Sequence, residues 1–259
     1  MNIEQDKIIN AIEAGAINKD NVSFELIKRV ATTPTPPDVH RELDYGHAIL
    51  DTQDQLNKYV YAYGSMIFHQ WIPMFNQLNL FSSNVVIIDY ACGQGLASML
   101  FFDKHKDTNN CSNITLIEPS KIALNRAEKI LQCYLPKAKI KTINKVLDDV
   151  TKNDIQTDDN AIKIHLFSNI IDMNVFNIKT LFDKITVNKG RNYFIAMSSD
   201  RNSFGGTERL DDLHNNFDKN SHLYKIIKIE TDSFVMENPS THPGAKDFNI
   251  RFVYIEIEV

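Results

Sequence analysis

The sequence predicts a three-layer α/β protein built on a mostly parallel sheet of seven strands. From Asn84 onward, short apolar runs alternate with segments of helical periodicity, which is typical of strand–helix–strand units. Such units cross over right-handedly and cover both faces of a parallel sheet with helices. The last two apolar runs are joined without a helical segment. We therefore expect them to form an antiparallel hairpin at one edge of the sheet.

The predicted elements follow one another in a simple order. The strands are VVIIDY, NITLIEPS, KIKTINKVL, AIKIHLFSNII, NYFIAMSSD, YKIIKIETDSFVM and NIRFVYIEIEV. The helices between them are GLASMLFFDKH, KIALNRAEKILQCYL and VFNIKTLFDKIT. The first eighty residues contain helical segments, of which QLNKYVYAYGSMIFHQWIPMF is the longest, and the prolines of TPTPP mark an extended break. We divide the chain into an N-terminal helical cap, 1–80, and an α/β domain, 81–259.

Composition limits the classes of function. The net charge of −5 does not provide the basic surface of a dedicated nucleic-acid binder. The three cysteines form no C-x-x-C pair, which argues against a disulfide framework or a zinc site and fits a reducing compartment. The N-terminus does not resemble a signal peptide, and no apolar run approaches the roughly 20 residues of a membrane span. We expect a cytoplasmic protein with no membrane partner and no metal.

The turn after the first predicted strand, IIDYACGQGLAS, suggests a ligand site. It is not a phosphate-binding P-loop, because no lysine follows Gly95. It matches a dinucleotide fingerprint only in part, and the carboxylate of Asp89 would face the pyrophosphate. A zwitterion suits the charges better. Its cationic amino group can pair with Asp89, and its carboxylate can be bound by N–H groups at the start of the next helix.

This turn resembles the first motif of the class I S-adenosylmethionine-dependent methyltransferases, an acidic residue followed by G-x-G-x-G. The matching residues here are Asp89, Ala91, Gly93 and Gly95. Ala91 replaces the first glycine, a substitution that strains the backbone if the position has a positive φ angle. The resemblance implies a Rossmann-like seven-stranded fold, a methyltransferase activity and S-adenosyl-L-methionine as the cofactor.

The resemblance also implies roles for residues after the later strands. Glu118, at the end of the second strand, is expected to bind the ribose hydroxyls, and Asp148, preferred to Asp149, is expected to lie against the adenine. Ser168 and Tyr63 complete the predicted cofactor site. The aromatic residues of the long N-terminal helix have two interpretations: they pack on the core, or Tyr59, Tyr63 or Trp71 forms one wall of a ligand pocket.

The methyl acceptor is not evident from the sequence. HLFSNIID, at the fourth strand, contains neither the N-P-P-Y nor the Pro-Cys motif of two kinds of base methylation. The candidate catalytic residues are Asn169, Asp172 and His214. Asn169 could equally be a turn residue, and Asp172 could be the N-cap of the next helix. His214 falls in a long segment that Gly205 and Gly206 could make a flexible lid, whereas His165, inside the fourth strand, is expected to be a core histidine.

Three hypotheses about function remain open at this stage. The first is a methyltransferase acting on a small molecule, a protein or RNA. The second is a catalytically inactive S-adenosylmethionine-binding or scaffold protein that keeps the methyltransferase fold. The third, RNA modification, is not favoured by the acidic charge, although KIALNRAEKILQCYLPKAKIK is a basic stretch that could contact phosphates. A solvated helix face explains that stretch more simply.

Overall fold

The computed structural model describes residues 6–32, 38–78, 84–105, 110–200, 206–236 and 247–259. The proline-rich break predicted at 33–37 lies outside this part of the chain. One seven-stranded sheet runs through it, in the order β3-β2-β1-β4-β5-β7-β6. The strands are β1 Val85–Tyr90, β2 Cys111–Ile117, β3 Lys139–Ile143, β4 Ile162–Ser168, β5 Arg191–Ser199, β6 Lys225–Met236 and β7 Phe248–Glu258.

The predicted sheet is confirmed, including its terminal hairpin. β1 to β5 are parallel, with Asp89 of β1 opposite Leu116 of β2 and Leu166 of β4. β7 runs antiparallel to both β5 and β6. All six residues of β1 are buried, because helices cover both faces of the central strands. The carboxyl ends of β1, β2 and β4 therefore meet at one edge, where ligands bind in open α/β sheets.

The helices form two layers, one on each face of the sheet. One core joins residues of α1, α2, α4, α5 and α6 to Ile87 and Leu116 of the sheet. The other joins α7, α8 and α9 to Ile88 and Phe194. The helices are α1 Lys7–Glu13, α2 Phe24–Ala31, α3 Val39–Glu42, α4 Gln53–Phe75, α5 Leu96–Lys104, α6 Lys121–Tyr134, α7 Lys152–Ile155, α8 Ile178–Ile185 and α9 Gly206–Lys219. The division of the chain at residue 80 stays a prediction.

The N-caps of two helices are clear. Ser120 is the N-cap of α6, since its hydroxyl accepts a hydrogen bond from the N–H of Ala123. The N-cap of α8 is Asn177, whose side chain accepts from the N–H of Thr180. The interpretation of Asp172 as this cap is therefore wrong, because α8 begins five residues further along the chain.

The segment that follows β5 is a packed helix over most of its described length. Leu210, Leu213 and Phe217 of α9 are buried in the second core, at the spacing of one helical face. The expectation of a flexible lid is wrong for 206–219, and residues 201–205 lie outside the described part of the chain. Among the described helices, none is long and apolar enough to cross a bilayer.

Candidate functional site

Three alternate residues of the turn between β1 and α5 have left-handed backbone conformations. Gly93 and Gly95 have φ angles of 52° and 77°, which glycine adopts without steric cost. Ala91 has a φ of 51°, so the alanine in place of the family's glycine is strained. Such strain persists where the surrounding structure holds the turn in place, and it concentrates at ligand sites.

Asp89 is a buried carboxylate with one unsatisfied oxygen. Its side chain is 0% exposed, and Oδ2 accepts a 2.6 Å hydrogen bond from the hydroxyl of Ser98. Oδ1 has no hydrogen-bond partner among the residues that the structure describes. Burial raises the pKa of Asp89 to about 7, opposed by the Ser98 hydrogen bonds and assisted by the negative charge of Glu118. The residue is therefore poised to gain stability from a cation at Oδ1.

Glu118 contacts the same turn and lies within electrostatic reach of Asp89. Its two carboxylate oxygens accept hydrogen bonds of 2.9 Å from the N–H of Gly93 and 2.8 Å from the N–H of Ser120. The side chain is 8% exposed, and burial raises its pKa while these two N–H groups oppose the shift. The side-chain amide of Asn144, after β3, donates to the carbonyl oxygen of Glu118 at 3.0 Å. This contact brings the end of β3 to the same corner.

Helix α4 contacts the glycine turn through Leu56 and the end of β4 through Gln70 and Trp71. The rings of Tyr59 and Tyr63 lie 4.9 Å apart, and His40 contacts Tyr63 edge-on at 5.2 Å. Burial raises the pKa of Tyr59, and its neighbours Tyr63, Glu118 and Asp172 raise it further. Tyr59 thus lies within electrostatic reach of the acidic residues after β2 and after β4. Both tyrosines are partly buried and pack against the hydrophobic core, as the first interpretation expects, and a role in a ligand pocket stays a prediction.

The end of β4 is bonded to the second half of α4. The hydroxyl of Ser168 accepts a 2.9 Å hydrogen bond from the indole N–H of Trp71. Asn169 has a φ of 53°, and its amide exchanges two hydrogen bonds with the amide of Gln70, at 3.0 and 3.2 Å. The side chains of Ser168 and Asn169, at the end of β4, are therefore both engaged with α4 in this structure.

Asp172 and His214, the other catalytic candidates, lie in different places. Asp172 is 6% exposed, and its Oδ1 has no hydrogen-bond partner in the described part of the chain. It shares an electrostatic neighbourhood with Tyr59, at the site. His214 lies on α9, which packs against β5, β7 and β6, away from β1 in the strand order. The structure does not bring His214 to the glycine turn.

Asp148 has contacts other than those predicted for it. It is exposed, and its carboxylate accepts a 2.9 Å hydrogen bond from the N–H of Asn177. Its carbonyl oxygen accepts from the ammonium group of Lys184 at 2.6 Å. The residue lines a polar groove of about 620 Å³ between α8 and α9, on the second helix layer. Its contact with an adenine stays a prediction.

His165 is the core histidine that the sequence predicted. It is fully buried, and its ring nitrogens lie 3.0 Å from the hydroxyl of Tyr90 and 3.2 Å from the amide oxygen of Asn192. Burial lowers its pKa to about 3, so the ring stays neutral. A neutral, fully bonded imidazole inside the sheet is a structural residue.

Comparisons with known proteins give a fold but no sequence relative. No protein-family model and no curated protein sequence matches the chain. Among solved structures, the plantazolicin methyltransferase BpumL, in complex with a monoazolic desmethylPZN analog and SAH, has a TM-score of 0.50 at 12% identity, over 96% of this chain and 98% of that one. The chain has the class I methyltransferase fold.

Two further methyltransferase structures are similar at the same level of identity. The plantazolicin methyltransferase BamL, at 12% identity, has a TM-score of 0.49 over 90% of this chain and 99% of that one. A SAM dependent methyltransferase from Aquifex aeolicus, also at 12%, has a TM-score of 0.49 over 79% of this chain and 97% of that one.

Within the methyltransferase fold, the residues of this turn fit a cationic ligand. Asp89 offers an unsatisfied buried oxygen, and none of the ion pairs found in the described ranges involves Asp89 or Glu118. A Cβ atom built at Gly93 would meet nothing within 4 Å, so the backbone faces open space. The ammonium group of S-adenosylmethionine would suit the carboxylate of Asp89.

Sequence reasoning assigned no role to three residues that support the glycine turn and the end of β4. Ser98 donates to Asp89, Gln94 of the turn donates to the carbonyl oxygen of Leu56, and Gln70 exchanges hydrogen bonds with Asn169. The interpretation of the basic stretch as a solvated face is wrong at Arg126, which is 0% exposed. A signal was available, because Arg126 lies between Ala123 and Ile130 on the buried stripe of α6.

Proposed function

We propose that the chain is an S-adenosylmethionine-dependent methyltransferase whose cofactor is held by Asp89, Gly93, Gly95 and Glu118. The observation that carries the proposal is the buried carboxylate of Asp89, whose Oδ1 has no partner among the described residues and lies beside a glycine turn. A buried carboxylate oxygen of this kind is costly unless a ligand satisfies it. The fold supports the proposal, since its ligands bind beyond the carboxyl ends of the strands.

Each residue has a distinct binding role. Asp89 pairs with the cationic amino group, and the N–H groups that begin α5 bind the carboxylate of the same ligand. Glu118 uses its remaining lone pairs for the ribose diol while it holds Gly93 and Ser120. When bound, S-adenosylmethionine supplies a methyl group on a sulfonium, which is transferred by in-line displacement. The chain then contributes alignment and the exclusion of water, with Tyr59 and Tyr63 as a wall.

The acceptor side of the site is proposed to centre on Asp172. Ser168 and Asn169 are engaged with α4, whereas Asp172 keeps an unsatisfied buried oxygen. A carboxylate there can receive the proton that a hydroxyl or ammonium acceptor must lose. The class of acceptor is not assigned, and a cytoplasmic location is proposed on the free cysteines alone.

Calorimetric titration of the protein with S-adenosylmethionine tests the cofactor assignment. The wild type should bind, and the near-isosteric variants Asp89→Asn and Glu118→Gln should each lose about tenfold or more in affinity, equivalent to roughly 1.4 kcal/mol. Asp183→Asn is the matched control, because Asp183 forms an exposed ion pair with Lys179 on α8. A folded wild type that does not bind contradicts the proposal. Unchanged affinity in both site variants contradicts the residue assignment.

A second candidate function is cofactor binding without catalysis. It is favoured by one observation, that the polar side chains of Ser168 and Asn169 are bonded to α4 rather than left for an acceptor. Incubation of the protein and cell extract with methyl-labelled cofactor separates the two functions. Label in an extract component requires catalysis, and loss of this label in Asp172→Asn supports the proposed base. Binding without any transfer favours the second function.

A further inference from the structure

The guanidinium of Arg126 is the centre of a buried polar network behind the glycine turn. Arg126 is 0% exposed, and four of its five N–H groups donate hydrogen bonds. Its Nε–H bonds to Asp6 at 2.7 Å, and its terminal nitrogens bond to Asn57 at 3.0 Å, Gln94 at 2.8 Å and Gln53 at 2.6 Å. A single side chain of α6 thus joins the start of α1, the start of α4 and the turn.

Gln94 transmits this contact to the turn itself. It lies between Gly93 and Gly95, and it is buried. Its side-chain oxygen accepts from Arg126, and its side-chain nitrogen donates to the carbonyl oxygen of Leu56 at 2.8 Å. Both ends of the amide are therefore held from behind. The N–H groups of the two neighbouring glycines donate to Glu118 (from Gly93) and to the carbonyl oxygen of Cys92 (from Gly95), and their directions follow the orientation of Gln94.

Asp6 provides the only carboxylate in this network. Its Oδ2 accepts from Arg126, while Oδ1 accepts from the N–H groups of Ile8 and Ile9 and caps α1. The other three acceptors on Arg126 are neutral amides, so the buried cation is neutralised by Asp6 alone within the described residues. The guanidinium of Arg126 therefore contacts both Asp6, which caps α1, and Gln94, which belongs to the turn.

We propose that Arg126 is a positioning residue for the cofactor turn, and that through it the docking of α1 and cofactor binding are coupled. The inference rests on the proposed function, since the turn must bind the cofactor. Arg126 does not touch the ligand in this proposal. It holds Gln94, which helps to keep its neighbours Gly93 and Gly95 in their left-handed conformations.

The coupling must act in both directions. If docking of α1 raises cofactor affinity by some factor, cofactor binding stabilises the docked α1 by the same factor. Two variants separate this role from a general effect on stability. Arg126→Met removes the guanidinium and leaves Asp6 buried without its cation. The double variant Asp6→Asn/Arg126→Met removes both charges, so it should be more stable than Arg126→Met alone. Gln94 still lacks its hydrogen bond from Arg126 in the double variant.

Binding of S-adenosylmethionine is measured by calorimetry and unfolding is followed in urea for each variant. We expect Arg126→Met to weaken binding about tenfold or more, and the double variant to regain stability without regaining affinity. Lys163→Met is the matched control, a buried cation at the amino end of β4, far from the turn. It should lose stability and keep the wild-type affinity. Wild-type affinity in either Arg126 variant, or affinity that returns with stability, overturns the inference.

Hydrogen exchange on the wild type tests the coupling without any substitution. The N–H groups of Ile8, Ile9 and Asn10 all bond to Asp6. Saturation with S-adenosylmethionine should slow their exchange, although they belong to α1 and not to the turn. Unchanged exchange at all three, in a protein that binds the cofactor, overturns the coupling. Failure of the wild type to bind refutes the proposed function instead, so the two failures are distinguishable.

Discussion

Asp89→Asn is expected to make the ligand-free protein more stable at alkaline pH while it weakens cofactor binding. The pKa of Asp89 rises from 3.8 to about 7 on folding, chiefly through burial. Between these values the folded protein keeps a proton that the unfolded chain has lost. The free energy of unfolding therefore falls as pH rises from about 4 to about 7, by roughly 1.36 kcal/mol per unit, or about 4 kcal/mol in all.

The Asp89→Asn variant does not lose this stability as the pH rises, because the asparagine side chain does not titrate. Its amide oxygen can accept from Ser98 as Oδ2 does now, but its amide nitrogen takes the place of the unsatisfied Oδ1. A buried donor without an acceptor costs about 1–3 kcal/mol. At about pH 8 the net expectation is a gain of roughly 1–3 kcal/mol in the free energy of unfolding. The ionised carboxylate that the site presents to a ligand therefore lowers the stability of the ligand-free protein.

Urea unfolding of the ligand-free wild type and variant, at about pH 5.5 and about pH 8, measures this effect. The variant minus wild-type difference should grow by about 2 kcal/mol between the two values. His165 also titrates on unfolding, because its folded pKa is lowered to about 3, but it is common to both proteins and cancels in the difference. If the variant minus wild-type difference in the free energy of unfolding is equal at the two pH values, burial does not raise the pKa of Asp89 and the argument is refuted.

The remaining predictions concern the glycine turn. Gly95→Ala should destabilise the protein by about 1–3 kcal/mol, since its φ is +77° and the new Cβ would lie 3.3 Å from the Cβ of Ala127. Gly93→Ala is its control, with φ +52° but open space, so urea unfolding should show a smaller loss; equal losses would contradict the packing argument. Ala91→Gly should raise the free energy of unfolding by about 0.5–1 kcal/mol, because it relieves a φ of 51°, and a loss of stability would refute the strain.

The sheet and its hairpin were predictable because their signals are local. A strand buried on both faces is a continuous apolar run, and a crossover helix has its own periodicity, so the alternation after Asn84 leaves few topologies. The acidic residues of the turn were predictable for a related reason. Asp89 is the last residue but one of β1 and Glu118 directly follows β2, and parallel strands end at one edge.

The errors arose where a local pattern was ambiguous. The spacing of Leu210, Leu213 and Phe217 is helical, but the neighbouring glycine pair favoured a lid over a packed helix. Asp172 and Asn177 are both good N-cap residues before an apolar run, and only the position of the first helical turn separates them. Propensity does not locate that turn to within a few residues.

The sequence by itself determined the order of elements, the parallel sheet and the placement of two carboxylates at its carboxyl edge. These features depend on short-range periodicity and on the geometry that every parallel sheet shares. Only the tertiary structure decided that Arg126 is buried against Asp6, 120 positions away in the chain, and that Oδ1 of Asp89 lacks a partner. Both facts depend on long-range contacts between side chains that form when the helices pack, and local sequence patterns do not predict such contacts.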